Sequence, residues 1–371
     1  MKTIGKRARA RRRMPPKQKT GHGWRFFRLP AYRRDRAVLA AALALIVLVR
    51  PLPAAAEAVE VRLAEQDGPA YLPIRIALAH RLIEKHAKNA GLGEIKVTAR
   101  RYESGIAVNQ AVLSGHADFG AAGTTVLLSL WDRTKGSEFE TRGVMALAAM
   151  PLKFVTTDHR ITGLKDYDGR ADHRIAVPET NISIHAVTLR MGAEKVFGLG
   201  QAHRLDSLMI ALPHPHAAAV VLASRKTVQT HIAALPYSFQ EISAGRGRTI
   251  ATSSEIVGGP HTTVVLFATR KWKERNPKLF RAVADAEIEA LAWLSQDSRR
   301  AAKFYKDQVR SKQDIAEIES MFADAKEIAF GPTPRNTMPF ALFLERTGAI
   351  KAKAASWKDY FWETAHAFDG G

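Results

Sequence analysis

The sequence predicts an α/β protein of two lobes with a ligand cleft between them. Three observations carry that expectation. Strand-like and helix-like stretches alternate through residues 59–131, a second such series starts at Val144, and two extended passages, near Met150 and near Pro260, connect the series.

The first 56 residues stand apart from that pattern. They hold 15 Lys or Arg against one acid, then the apolar run AVLAAALALIVLV, residues 37–49, then RPLPAAAEA. A basic region, a 13-residue apolar stretch and small residues before Glu57 have the form of a secretory leader cut after Ala56. A bilayer span needs about 20 apolar residues, which leaves a retained anchor as the alternative reading. The leader also carries most of the charge. The chain is +20 with 56 basic and 36 acidic residues; the leader contributes 15 − 1 = +14, leaving +6 on 315 residues. That balance gives no reason to expect nucleic acid as a partner. Cysteine is absent, which removes disulfides, thiolate nucleophiles and Cys-ligated metals from consideration.

Each element then follows in order. VEVRLA, residues 59–64, alternates as a strand, and EQDGPAYLP breaks it. Residues 71–87 show one helical stripe through Leu72, Ile76, Ala79, Leu82, Ile83 and Ala87, stopped by Gly91 and Gly93. A strand at 95–99, a helix at 106–113, a short strand at 119–122 and a helix at 124–131 complete a βαβαβα series, hence a parallel sheet. In the second series VMALAAMPLKFVTT is extended with a break at Pro151. RIAVPETNISIHAVTLRMGAEKVFG is a strand, a polar turn and a helix ending near Gly198. LDSLMIAL, AAAVVLASR and TVQTHIAALPY read as strand, helix and strand. GGPHTTVVLFATR is again β, and after Lys271 the chain is almost wholly helical. No low-complexity linker and no tandem repeat interrupts it.

Where the chemistry lies is suggested by one recurring device. A strand runs through a small polar turn into a helix at RYESGIAV, at GAAGTTVLL and at VPETNISIHAV. Thr124 or Thr125 suits an N-cap, and Gly120 and Gly123 allow close approach to backbone; Ser104-Gly105 and Thr180, Asn181 and Ser183 occupy the other two turns. Each turn alone fits plain capping. Three of them spread over both lobes suggest N–H and O–H donors around an oxyanion. His214 and His216, in a turn built by Pro213 and Pro215, read as solvated rather than metal-binding, since no third ligand has suitable spacing. His231, at the end of a strand, reads either as a ligand donor or as a satisfied core histidine. No G-x-S-x-G, H-E-x-x-H or P-loop is present, and neither a metal nor a cofactor is expected.

Six stretches carry a resemblance over residues 57–330: YLPIRIA, AVLSGHADFGAAGTT, RIAVPETNISIHAVTLRMGAEKVFG, ALPHPHAA, TVQTHIAALPY and NPKLFRAVADAEIEALAWLSQDSRRAAKFY. Together they resemble periplasmic substrate-binding proteins of the nitrate/sulfonate/taurine class of ABC importers. The resemblance implies a two-lobe type II periplasmic-binding-protein-like fold with a ligand cleft between lobes. One lobe would hold residues 57–149 together with the return over 262–371, and the other would hold residues 150–261. It implies capture of a small anion or zwitterion and delivery to an inner-membrane permease and its ATPase. The protein would be a monomer in the periplasm and not an enzyme. Ser104, Gly105, Thr124, Thr125, Asn181 and Ser183 would grip the ligand; Gln66, Tyr71, His231 and Tyr237 would shape the far side. Two positions depart from the family pattern, His216 and Gln229, where acids are common. A periplasmic sensor without transport remains the alternative, with an enzyme acting on a pyrimidine precursor behind it; the related branch that makes such a pyrimidine uses cysteines, which this chain lacks.

Overall fold

A computed structural model describes residues 56–223, 227–323 and 328–371. The expected leader lies outside the described residues, apart from Ala56. Eleven strands are described: β1 Glu60–Glu65, β2 Lys96–Arg101, β3 Phe119–Gly123, β4 Thr141–Ala149, β5 Lys153–Thr156, β6 Ile175–Val177, β7 Met209–Ala211, β8 Thr230–Ala233, β9 Arg248–Thr252, β10 Thr262–Thr269 and β11 Ala329–Phe330. They form two sheets, ordered β11-β4-β10-β3-β1-β2 and β7-β6-β8-β5-β9. This is a two-lobe α/β architecture, with one sheet in each lobe.

The first sheet is parallel only where helices cross over. β2, β1 and β3 run parallel. These are the strands of the βαβαβα series, and β10 then inserts antiparallel between β3 and β4. The reason is its origin: a parallel neighbour needs a crossover over the sheet face, whereas β10 arrives from the second sheet. All eight residues of β10, TTVVLFAT, are buried, as a central strand requires. β2 is the opposite case, an edge strand whose Lys96, Arg100 and Arg101 are exposed. In the second sheet β6 runs parallel to β7 and β8, and β5 lies antiparallel to β8 and β9.

Two expectations are corrected. The single helix over 71–87 is two helices, Leu72–Ala79 and Leu82–Asn89, because Arg81 turns left-handed at φ 51°. Neither Gly nor Pro marks this break. It re-aims the second segment against the long helix Pro277–Gln296, and His80 beside it packs on Trp293 at 5.4 Å between ring centroids. The strand expected in LDSLMIAL is confined to β7, and a 3-10 turn, Asp206–Leu208, precedes it.

The cores of the two sheets are continuous on one side. Phe154, Ile175 and Ile232 of the second sheet belong to the same buried cluster as Ala64, Val265 and Phe267 of the first, joined through the helix Thr124–Thr134 and the helix Ile184–Phe197. Gly120 serves this packing: a Cβ there would stand 2.5 Å from the Phe267 ring.

Candidate functional site

Between the sheets lies a cavity of about 430 Å³. Its wall is built from residues just beyond the carboxyl ends of strands: Gln66 and Asp67 after β1, Tyr102 to Gly105 after β2, Pro178 and Glu179 after β6, His214 after β7 and Leu235 after β8. Open α/β sheets place ligands at this end because the loops there are free to vary while the strands stay fixed.

Of the ten residues expected from sequence, six line this cavity: Gln66, Tyr71, Ser104, Gly105, Ser183 and Tyr237. The Tyr71 hydroxyl donates to Gln66 Oε1 at 3.0 Å, so these two act as a unit. Ser104 Oγ accepts from Ala107 N–H at 3.2 Å and Ser183 Oγ accepts from Ala186 N–H at 3.2 Å, both ordinary caps of their helices.

The other four lie elsewhere, each for a visible reason. Thr124 and Thr125 are wholly buried. Gly123 is the N-cap of their helix, and their hydroxyls donate across to carbonyls, Thr124 to Thr262 at 2.6 Å and Thr125 to Ile182 at 2.7 Å. The GTT and TNIS segments therefore do meet, but in direct contact. Asn181 is exposed beside its turn. His231 is wholly buried within β8.

The TNIS turn also holds an unexpected occupant. The carboxylate of Glu179 accepts the N–H groups of Asn181, Ile182 (2.8 Å) and Ser183 (3.0 Å). Of these donors the Ser183 N–H, at the N-cap, belongs to the helix start, and a side chain of the protein already takes it.

The charge on the wall is mixed. Asp67, Glu103 and Glu179 face one guanidinium, Arg101, which pairs with Glu65 at 3.5 Å and Asp67 at 3.8 Å. Asp67 also meets the buried Arg75 at 3.1 Å.

Four histidine and glutamate side chains make the most unusual feature. His214 is the first residue of the helix His214–Leu222, not a solvated turn, and only His216 stays exposed. The His214 ring stacks on Tyr237 with centroids 5.5 Å apart. Its Nδ1 is 2.7 Å from His231 Nε2, and its Nε2 is 3.1 Å from His185 Nε2. His231 Nδ1 in turn lies 2.6 Å from Glu241 Oε1. Burial holds His185 and His214 well below the usual imidazole range, drives His231 down to about 3 and pushes Glu241 up to about 8. Charged forms are disfavoured throughout, so the four groups are neutral near pH 7. Among the described residues no group of His, Asp or Glu is arranged to hold a metal ion. His185 and Glu241 were missed from sequence. Their partners lie 29 and 10 positions away, and only the histidines of TNISIH, HPH and THIA gave any signal.

Comparison with known proteins agrees with this geometry. A family model described as the NMT1-like family matches residues 54–304. No curated protein matches the chain. The alkanesulfonate-binding protein SsuA of Xanthomonas axonopodis pv. citri, bound to MOPS, is 19% identical over 80% of this chain and 92% of its own, with a TM-score of 0.59. The periplasmic nitrate-binding protein NrtA of Synechocystis PCC 6803 is 15% identical over 84% and 90%, with a TM-score of 0.62. The Candida albicans CA3427 gene product, which exhibits the generic periplasmic binding protein fold, is 12% identical over 84% and 98%, with a TM-score of 0.61. The fold here is that same two-lobe fold. With the family model spanning well over half of its length, the chain belongs to the NMT1-like family.

Proposed function

We propose that the protein is the exported solute-binding component of an ABC importer, holding a small organic anion or zwitterion, such as an aliphatic sulfonate or taurine, between its lobes. The observation that carries this reading is the composition of the cleft. Arg101, the Ser104 hydroxyl and the imidazole of His185 suit an anionic end; Asp67 and Glu103 suit a cationic one. A volume of about 430 Å³ fits a small organic molecule, and a nitrate ion would fill only a small part of it. The named ligands of the sulfonate- and nitrate-binding relatives support the same ligand class. Removal of the leader after Ala56, residence in the periplasm, and delivery to an inner-membrane permease and its ATPase belong to this reading.

Calorimetric titration with taurine, ethanesulfonate and nitrate tests it. Taurine and ethanesulfonate should bind, with nitrate weaker than either. Failure of both organic compounds to bind would overturn the ligand class.

A further inference from the structure

A neutral imidazole has one N–H and one bare nitrogen. Along the contacts Glu241–His231–His214–His185 this leaves two arrangements in which every contact pairs a donor with an acceptor. If Glu241 is protonated, its O–H donates to His231 Nδ1, His231 Nε2–H donates to His214 Nδ1, and His214 Nε2–H donates to His185 Nε2. His185 then carries its hydrogen on Nδ1. If Glu241 is ionised, every donor reverses: His231 and His214 carry hydrogen on Nδ1, His185 carries it on Nε2, and His185 Nδ1 is a bare lone pair. His185 lines the cavity, is 9% exposed, and its Nδ1 is buried with no partner in the protein.

We propose that these four side chains form a proton relay that couples ligand capture to proton uptake. In it, one proton gained at Glu241 reverses all three tautomers and turns His185 Nδ1 from an acceptor into the donor that holds an anionic oxygen. The balance is simple. The protonated relay is neutral, the ionised one carries one negative charge, and the proton that separates them comes from solvent. Capture of a sulfonate or carboxylate oxygen at His185 favours the neutral, donating form, and takes up one proton where the relay starts out ionised, above its midpoint. The burial that holds Glu241 protonated up to about pH 8 keeps the relay in that form near neutrality.

Other charged groups near the relay are accounted for. The cavity wall brings Tyr237, His216, Glu179, Glu103, Asp67 and Arg101. The helix bearing His185 carries Arg190, committed to Asp206 and to the carbonyls of Thr180 and Asn181, and, further along, Glu194 and Lys195. The strands packed on the Glu241 helix carry Lys153 and Arg248, the latter bonded to the carbonyls of Asp158, His159 and Ile161. Arg246 follows that helix, and its backbone N–H donates to the Glu241 carbonyl.

The ligand half of this proposal rests on the function proposed above; the relay itself does not. ¹⁵N-histidine NMR of the ligand-free protein from about pH 6 to about pH 10 reads the tautomers directly. Expected is a concerted change of His185, His214 and His231 with one midpoint, absent in Glu241→Gln. Three independent midpoints, or no tautomer change, would overturn the relay. Adding taurine or ethanesulfonate should raise the midpoint, and affinity should fall about tenfold per pH unit above the ligand-free one. Calorimetric binding without such a shift refutes the coupling and spares the proposed function. An intact switch with no binding of either compound refutes the function and the coupling but leaves the relay standing.

Discussion

The Thr125 and Ser104 hydroxyls look alike in sequence, each at the start of a helix after a small polar turn, yet they do different work. Thr125 donates to the Ile182 carbonyl in a buried joint between the two lobes. Ser104 accepts a capping bond at the wall of the cavity and keeps its own hydrogen free to donate. Thr125→Val should therefore cost about 1 kcal/mol in urea unfolding, by removing the hydrogen bond to a half-buried carbonyl, and should leave ligand affinity unchanged. Ser104→Ala should cost about 1 kcal/mol of stability and weaken taurine binding roughly tenfold or more. Equal loss of affinity in both variants would contradict this division. The residue types and their spacing were legible in sequence. Which hydroxyl turns inward was not, because a carbonyl 57 positions away takes the Thr125 proton.

Among the elements, the helix Pro277–Gln296 was the most legible, since Phe280, Val283, Ala290, Leu291 and Leu294 repeat at helical spacing. Glu287 sits inside that apolar stripe, a signal for a buried acid that the spacing alone could have raised. It is wholly buried, neither carboxyl oxygen has a partner, and burial together with the nearby Glu65 carboxylate pushes it up to about 8. The sign follows from proton counting. Unfolded, Glu287 ionises near pH 4.3, while folded it keeps its proton to about 8. Stability is therefore lost as pH rises between those values, by up to about 1.4 kcal/mol per unit. Glu241 adds a loss of the same sign. The four depressed histidines, His173 with His185, His214 and His231, act oppositely, destabilising the fold only below about pH 6.5. Between about pH 6.5 and about pH 8 the raised glutamic acids, Glu65 with Glu241 and Glu287, should tilt the curve, and Glu287→Gln should lessen that tilt. Urea midpoints at both ends of the window measure it; an unchanged slope would remove Glu287 from the account. The break at Arg81 and the antiparallel insertion of β10 were not legible, because tertiary packing and a long-range return decide them, not local propensity.

For the molecule as a whole, two passages join the sheets: Met150–Leu152 between β4 and β5, and the stretch 258–261 before β10, where Gly258 and Gly259 take φ of 100° and 147°. Both can absorb a rotation of one lobe against the other. We expect small-angle scattering to show compaction when taurine saturates the protein, and an unchanged radius at saturation would identify a rigid module instead. The carboxylate of Glu179, seated on the backbone amides of Asn181, Ile182 and Ser183, would give such a cleft a bias of its own. It behaves as a resident counter-ligand. A solute that is only an anion meets fixed negative charge where a helix start would otherwise attract it, whereas a solute with a cationic end finds that charge helpful. On the function proposed above, the cleft would sort solutes by the sign of their second end before it sorted them by shape.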